Sequence, residues 1–127
     1  MMSKLHDNEI ISYEVNLSSR TITIYTQFKT SDSCKGTSMV FYDVLAHFFE
    51  NELSGSVILE IDEYSIESFI EDNRLLLDNR KNGSWPTYYK TLAEFKEKLI
   101  NEQYNFYGIT PSYGLGGWIL AKCYEVR

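Results

Sequence analysis

Two stretches of strict alternation near the N-terminus constrain the fold of this chain most. In residues 9–17 the positions of one face are Ile11, Tyr13, Val15 and Leu17. In residues 20–28 the matching positions are Ile22, Ile24, Thr26 and Phe28. A period of two is typical of a half-buried strand, because successive side chains of a strand point to opposite faces. With Ser18 and Ser19 as the turn, the pattern predicts an antiparallel hairpin.

Further strands are predicted from short β-branched or aromatic runs. They cover residues 38–42, 57–61, 104–109 and 117–126. Residues 44–49 fit either a continuation of the third strand or a turn of helix, and the pattern does not decide between them.

Two helices are predicted from capping residues followed by apolar stripes. Ser65 caps a stripe of Ile66, Phe69, Ile70 and Leu77. Thr91 and Glu94 form a capping box before a second helix that ends near residue 102. This order of elements predicts an α+β domain, with an antiparallel or mixed sheet of about six strands and two helices packed on one face.

The length of 127 residues fits a single domain, residues 1–127. Residues 1–7 contain no apolar region typical of a signal peptide, and no apolar run is long enough to span a membrane. We therefore expect a cytoplasmic protein. In that compartment Cys34 and Cys123 are expected to be reduced thiols.

The net charge of −6 is distributed unevenly along the chain. Residues 36–73 contain no Lys or Arg, and their nine acids are Asp43, Glu50, Glu52, Glu60, Asp62, Glu63, Glu67, Glu71 and Asp72. Like charge repels, which argues against nucleic acid or an anionic membrane as the ligand of this segment. Two interpretations stay open, a surface that binds a basic protein and a solvated face that keeps the chain soluble.

Five of these carboxylates are the candidates for contacts with a partner: Glu60, Asp62, Glu63, Glu67 and Glu71. They crowd the end of a short strand and the start of a helix, and too few Lys or Arg residues lie nearby in sequence to pair with all of them. A cationic partner would relieve their mutual repulsion.

Candidates for catalysis or metal binding are few. His6, Asp7 and Glu9 lie close in sequence, but alternation along an extended chain would turn His6 and Asp7 apart. His47 lies among apolar neighbours, as a packed histidine commonly does. The sequence has none of the common nucleophile, zinc or phosphate-loop motifs. We therefore expect no catalytic residue, metal or cofactor, with a small enzyme or metal-binding protein using these four residues as the alternative.

Aromatic residues stand out in the segment between the two predicted helices. Trp85, Tyr88 and Tyr89 lie there, beside Pro86. Aromatic side chains in loops anchor protein interfaces, because they bury a large area at low entropic cost. They also fold back over the edge of a core, and the sequence leaves both interpretations open.

Several short motifs can be compared with those of known families: the opening at residues 5–10 followed by strand, turn and strand, then residues 41–44, 112–114 and 118–124. Together they resemble small bacterial immunity proteins of polymorphic or contact-dependent toxin systems. The resemblance implies a cytoplasmic protein that binds and blocks a toxin domain, often a nuclease, whose basic cleft would suit an acidic surface. No toxin-contacting residue carries over by motif. A housekeeping adaptor or a subunit of an oligomer is a further alternative.

Overall fold

The predicted hairpin is part of a larger antiparallel sheet in the computed structural model, which describes residues 5–127. Its strands are β1 (Glu9–Asn16), β2 (Thr21–Lys29), β3 (Cys34–Tyr42), β4 (Ala46–Glu50), β5 (Val57–Tyr64), β6 (Asn105–Tyr113), β7 (Gly116–Ala121) and β8 (Cys123–Val126). The helices are α1 (Ile66–Asp72), α2 (Arg74–Arg80) and α3 (Leu92–Asn101), with a 3-10 turn at Lys81–Gly83. The α+β class and the antiparallel sheet are thus confirmed.

β1 and β2 pair in antiparallel register, but a bulge changes which residues of β1 face inward. The register shifts between Ile10 and Ser12, so Ile10 is buried and Ile11 is 51% exposed. Tyr13 and Val15 face the core as expected, whereas Leu17 lies in the turn and is 83% exposed. The bulge adds one residue to β1 and thereby reverses the alternation on its N-terminal side.

The sheet has eight strands, so the expected number of about six is wrong. Two breaks account for the difference. Residues 44–49 contribute most of a separate strand, β4, after a kink at Asp43, whose φ is 53°. The last predicted strand divides at Lys122 into β7 and β8.

The order of strands is β4-β7-β6-β5-β1-β2-β3-β8. β3 and β4 follow each other in the chain but lie near opposite ends of the sheet, and the same holds for β7 and β8. β3 leads into β4 through residues 43–45 alone, and β7 leads into β8 through Lys122 alone. Connections this short cannot cross a flat sheet of eight strands, since neighbouring strands lie about 4.8 Å apart. The sheet is therefore rolled so that its two ends approach each other.

The inside of the roll is one hydrophobic cluster. Its buried members are Leu5, Ile10, Ile22, Ile24, Met39, Phe41, Ile58, Ile61, Tyr107, Ile109, Leu115, Ile119 and Ala121. Leu5, which precedes the first strand, is fully buried here. Burial of side chains from β1–β3 and β5–β7 in a single cluster explains why a rolled sheet is stable, since apolar area removed from water is the main stabilising term.

Three helices form where two were predicted, because the first predicted helix breaks at Asn73. The Ser65 hydroxyl accepts a hydrogen bond from the Ser68 amide, and the Thr91 hydroxyl accepts one from the Glu94 amide, so both predicted N-caps are present. At the break, the Asn73 side chain donates to the Phe69 carbonyl, which closes the end of α1.

A second hydrophobic cluster joins the helices to β4, β6 and β7. Its buried residues are Ala46, Ile66, Phe69, Ile70, Leu77, Tyr89, Phe95, Leu99, Tyr104, Phe106, Trp118 and Leu120. Trp118 and Leu120 belong to this cluster while Ile119 and Ala121 belong to the first, as alternation along β7 requires. The two clusters thus lie on opposite faces of the same strands.

Candidate functional site

The predicted carboxylates of β5 do not all share one side of the sheet. Asp62 is paired in register with Gly108 and Tyr64 with Phe106, which places Glu60, Asp62 and Tyr64 on the helix side. The Tyr64 hydroxyl donates to Glu60 Oε1 at 3.2 Å. Burial, then this hydrogen bond, raises the pKa of Tyr64. Glu63 is exposed and paired with Tyr107, whose ring lies inside the roll.

Glu67 and Glu71 lie one turn apart on α1 and line the same cleft. This α1–α3 cleft has a volume of about 360 Å³. Its lining residues are Glu67, Ile70, Glu71, Arg74, Leu92, Ala93 and Lys96. The cleft therefore combines apolar side chains with carboxylates of the predicted acidic surface.

Both carboxylates of the α1–α3 cleft have cationic partners. Glu71 Oε2 is 3.2 Å from Arg74 Nη2, and Glu67 Oε1 is 3.6 Å from Lys96 Nζ. The first pair follows from the spacing of three residues across the junction of α1 and α2, and the second requires α3 to pack beside α1. The Glu67 and Glu71 side chains remain 59% and 75% exposed.

The aromatic segment divides into buried and exposed parts. Trp85 is half-buried, with its ring 5.7 Å from that of Trp118. Tyr89 is buried and stacks on Phe95 at 4.6 Å, and its hydroxyl has no hydrogen-bond partner within residues 5–127. Burial raises the pKa of Tyr89. Tyr88, at 66% exposure, is the member best placed for contact with a partner.

His6 and Asp7 lie in a turn, so the expectation that an extended chain separates them is wrong. His6 Nε2 is 3.4 Å from Asp7 Oδ2, and His6 Nδ1 is 2.6 Å from the Leu59 carbonyl oxygen. A positive φ of 65° at Asp7 turns the chain before β1. Both side chains are more than half exposed. They are held by the contact with each other and by the contact of His6 with the Leu59 carbonyl oxygen.

His47 lies far from His6 and Asp7, since it borders Val15 while they precede the start of β1. At about 3.3 Å per residue, the length of β1 separates the two places by roughly 20 Å. Burial lowers the pKa of His47, opposed by the Glu52 carboxylate. The structure therefore does not bring the four candidate residues of an enzyme together. Within residues 5–127, no group of three or more His, Cys, Asp or Glu side chains is placed to hold a metal ion.

A hydrogen bond between Tyr13 and Glu52 lies close to His47. The Tyr13 hydroxyl donates to Glu52 Oε1 at 2.7 Å. Burial, followed by the bond to Glu52 and its charge, raises the pKa of Tyr13 to about 12. The phenol consequently stays protonated near neutral pH and holds the carboxylate in place.

A cleft between β1 and β4 was not predicted from the sequence. Cavities of about 300 and 200 Å³ border it. Ile11 and Leu53 line the first cavity and Leu17 lines the second. The alternation in the sequence predicts that Ile11 and Leu17 are buried in the core, but both are exposed and line these cavities.

A cavity of about 530 Å³ near the end of β8 is bordered by basic side chains. Its lining includes His6, Lys35 and Arg127. Arg127 Nε is 3.0 Å from Glu125 Oε1, and its Nη2 donates to the Tyr42 hydroxyl. His6 also has a carboxylate neighbour, so two of the three groups already have contacts with acidic side chains.

No family model, curated protein or solved structure matches the chain. Within residues 5–127, no helix is long and apolar enough to cross a membrane.

Proposed function

We propose that the protein is a non-catalytic binding protein, a cytoplasmic immunity protein of a bacterial toxin system that binds and neutralises a cognate toxin domain through an acidic surface. The proposed contacts are Glu60, Asp62, Glu67 and Glu71 on the helix side, with Glu63 on the other side of β5 near its end. The exposed aromatic side chain of Tyr88 is a candidate for an apolar contact beside it.

The observation that carries this proposal is the composition of the α1–α3 cleft. Ile70, Leu92 and Ala93 supply apolar surface, and Glu67 and Glu71 stand beside it. Protein interfaces commonly combine an apolar centre with a polar rim. A basic side chain of a partner would reach both carboxylates from solvent, because more than half of each is exposed.

The existing ion pairs do not prevent such binding. Exposed pairs such as Glu67–Lys96 and Glu71–Arg74 contribute little to stability, typically about 0–1 kcal/mol. Partner cations can therefore displace Lys96 and Arg74 at small cost. The absence of Lys and Arg from residues 36–73 adds a negative field that would raise the association rate of a basic toxin domain.

Charge reversal tests the proposal. We expect the double variant Glu63→Lys and Glu67→Lys to fold normally, since exposed substitutions usually cost under about 0.5 kcal/mol. Its association with a toxin domain encoded beside the gene should slow by about tenfold or more at low salt. High salt should slow association of the unchanged protein in the same way.

The matched control is the double variant Glu97→Lys and Glu102→Lys, which makes the same change in net charge at exposed positions that do not line the α1–α3 cleft. Association rates are measured by stopped-flow or surface plasmon resonance at several salt concentrations. If the double variant Glu63→Lys and Glu67→Lys associates as fast and as tightly as this control, the acidic surface is not the binding surface.

A further inference from the structure

Two strand edges face each other without backbone pairing. β4 is hydrogen-bonded to β7 on one side, and within residues 5–127 no backbone hydrogen bond joins residues 46–50 to a strand on the other side. β1 pairs with β2 along its length, but with β5 only around Glu9. The unpaired edges border the cleft between β1 and β4, called here the β1–β4 cleft.

Side chains close the floor of the β1–β4 cleft while its backbone edges stay apart. The rings of Tyr13 and Phe49 meet edge to face at 4.9 Å. The cavity beside Ile11 and Leu53 contains Tyr13 in its lining, and the cavity beside Leu17 contains His47. The cleft thus combines apolar and polar side chains in its lining, with unpaired peptide groups along its side.

The charge around this cleft is negative. Glu14 on β1 and Glu50 on β4 are exposed, and Glu52 lines one cavity. Arg20 is the one Lys or Arg among the residues that line the two cavities, and its guanidinium lies 3.1 Å from the Asp43 carboxylate. The field at the cleft therefore favours a cationic occupant.

We propose that the β1–β4 cleft binds an extended, lysine- or arginine-bearing segment of a partner protein, which adds a strand to the free edge of β4. In strand addition, backbone hydrogen bonds supply affinity and alternate side chains supply specificity. Apolar side chains of the segment would enter the cavities, and basic ones would meet Glu14, Glu50 and Glu52. This surface is distinct from the α1–α3 cleft and does not rest on the proposed function.

A peptide of three Lys-Val repeats, acetylated and amidated, is the probe. Titration is followed by NMR of the backbone amides of the isotope-labelled protein. We expect the largest shift changes at residues 46–50 and slower hydrogen exchange there. The same peptide with every backbone amide N-methylated keeps its side chains and charge, and should bind at least about tenfold more weakly because it cannot pair as a strand.

Protein variants distinguish strand addition at the β1–β4 cleft from binding of a toxin domain through the acidic surface. Glu50→Lys should weaken peptide binding several-fold more than the control Glu97→Lys, whereas the double variant Glu63→Lys and Glu67→Lys should bind the peptide about as well as its matched double control. Equal binding of the N-methylated peptide, no binding, or shift changes centred on residues 66–72 would overturn strand addition at β4. Protection in the free protein of those amides in residues 46–50 that do not pair with β7, together with a dimeric mass in sedimentation, would also overturn it by assigning the edge to a second copy.

Discussion

At the scale of single residues, burial and hydrogen bonding shift the pKa values of two side chains beside the cleft between β1 and β4. Tyr13 donates to Glu52, and burial with this bond raises the pKa of Tyr13 to about 12. Burial lowers the pKa of His47. The sequence identified His47 as a packed histidine, but it did not identify Tyr13 and Glu52 as a pair, since the contact depends on how β4 folds back towards β1.

The raised pKa of Tyr13 has a definite consequence at high pH. A phenol whose pKa is higher in the folded state than in the unfolded state contributes stability that is fully present below pH 10. That contribution is lost as pH rises from 10 through about 12. In an ultraviolet titration, Tyr13→Phe should remove one of the last phenols to ionise. Glu52→Gln should move that ionisation to lower pH, and an unchanged titration curve in both variants would contradict the assignment.

At the scale of elements, the sequence predicts the features that depend on neighbouring residues, but it does not predict the features that depend on pairing between distant strands. The β1–β2 hairpin and the caps at Ser65 and Thr91 depend on neighbouring residues, and all three are present. The number of strands depends on the kink at Asp43 and on the separation of β7 from β8, and both follow from pairing between distant segments. Among the predicted carboxylates, Glu67 and Glu71 do share a cleft, but Lys96, the partner of Glu67, comes from α3.

The pairing of β4 with β7 requires a glycine at position 117. Its φ of 147° disfavours other residues, and a Cβ there would lie 1.9 Å from the Phe48 carbonyl oxygen. We expect Gly117→Ala to destabilise the protein by about 2–4 kcal/mol, because it adds backbone strain to a clash with backbone. Gly83→Ala is the control, since a Cβ at that position has no neighbour within 4 Å. The stability of both variants is measured by urea unfolding. Equal unfolding midpoints for Gly117→Ala and Gly83→Ala would show that β4 can move away from β7 freely.

At the scale of the whole molecule, one sheet separates two cores. The inside of the roll and the helix layer share β6 and β7, whose residues alternate between them. Cys34 and Cys123 are both free, and they lie near opposite ends of β3, roughly 26 Å apart by strand length. The two cores are therefore held together by packing and hydrogen bonds, without help from a bond between these two cysteines.

One side chain connects the helices to the sheet by hydrogen bonds at both of its ends. Asn73 donates to the Phe69 carbonyl and accepts from Trp118 Nε1, each at 3.0 Å. Asn73→Ala would leave the partly buried indole N–H unpaired, so we expect a loss of about 1–3 kcal/mol in the free energy of unfolding. Asn79→Ala, at an exposed position of α2, should change it by less than about 0.5 kcal/mol. A similar loss in both variants, measured by urea unfolding, would mean that the link to Trp118 contributes nothing.

The rolled sheet also bears on how quickly the chain reaches its native state. β1, β2 and β3 are joined by short turns, so they can find one another soon after collapse. β8 pairs with β3, and β7 pairs with β4, across most of the chain. Such contacts require a long loop to close before they contribute a favourable free energy. Small domains dominated by contacts of this kind fold in roughly milliseconds to seconds. Until that closure, the edges of β3 and β4 are open to other chains, so the time spent unrolled is the period in which this protein is most exposed to aggregation.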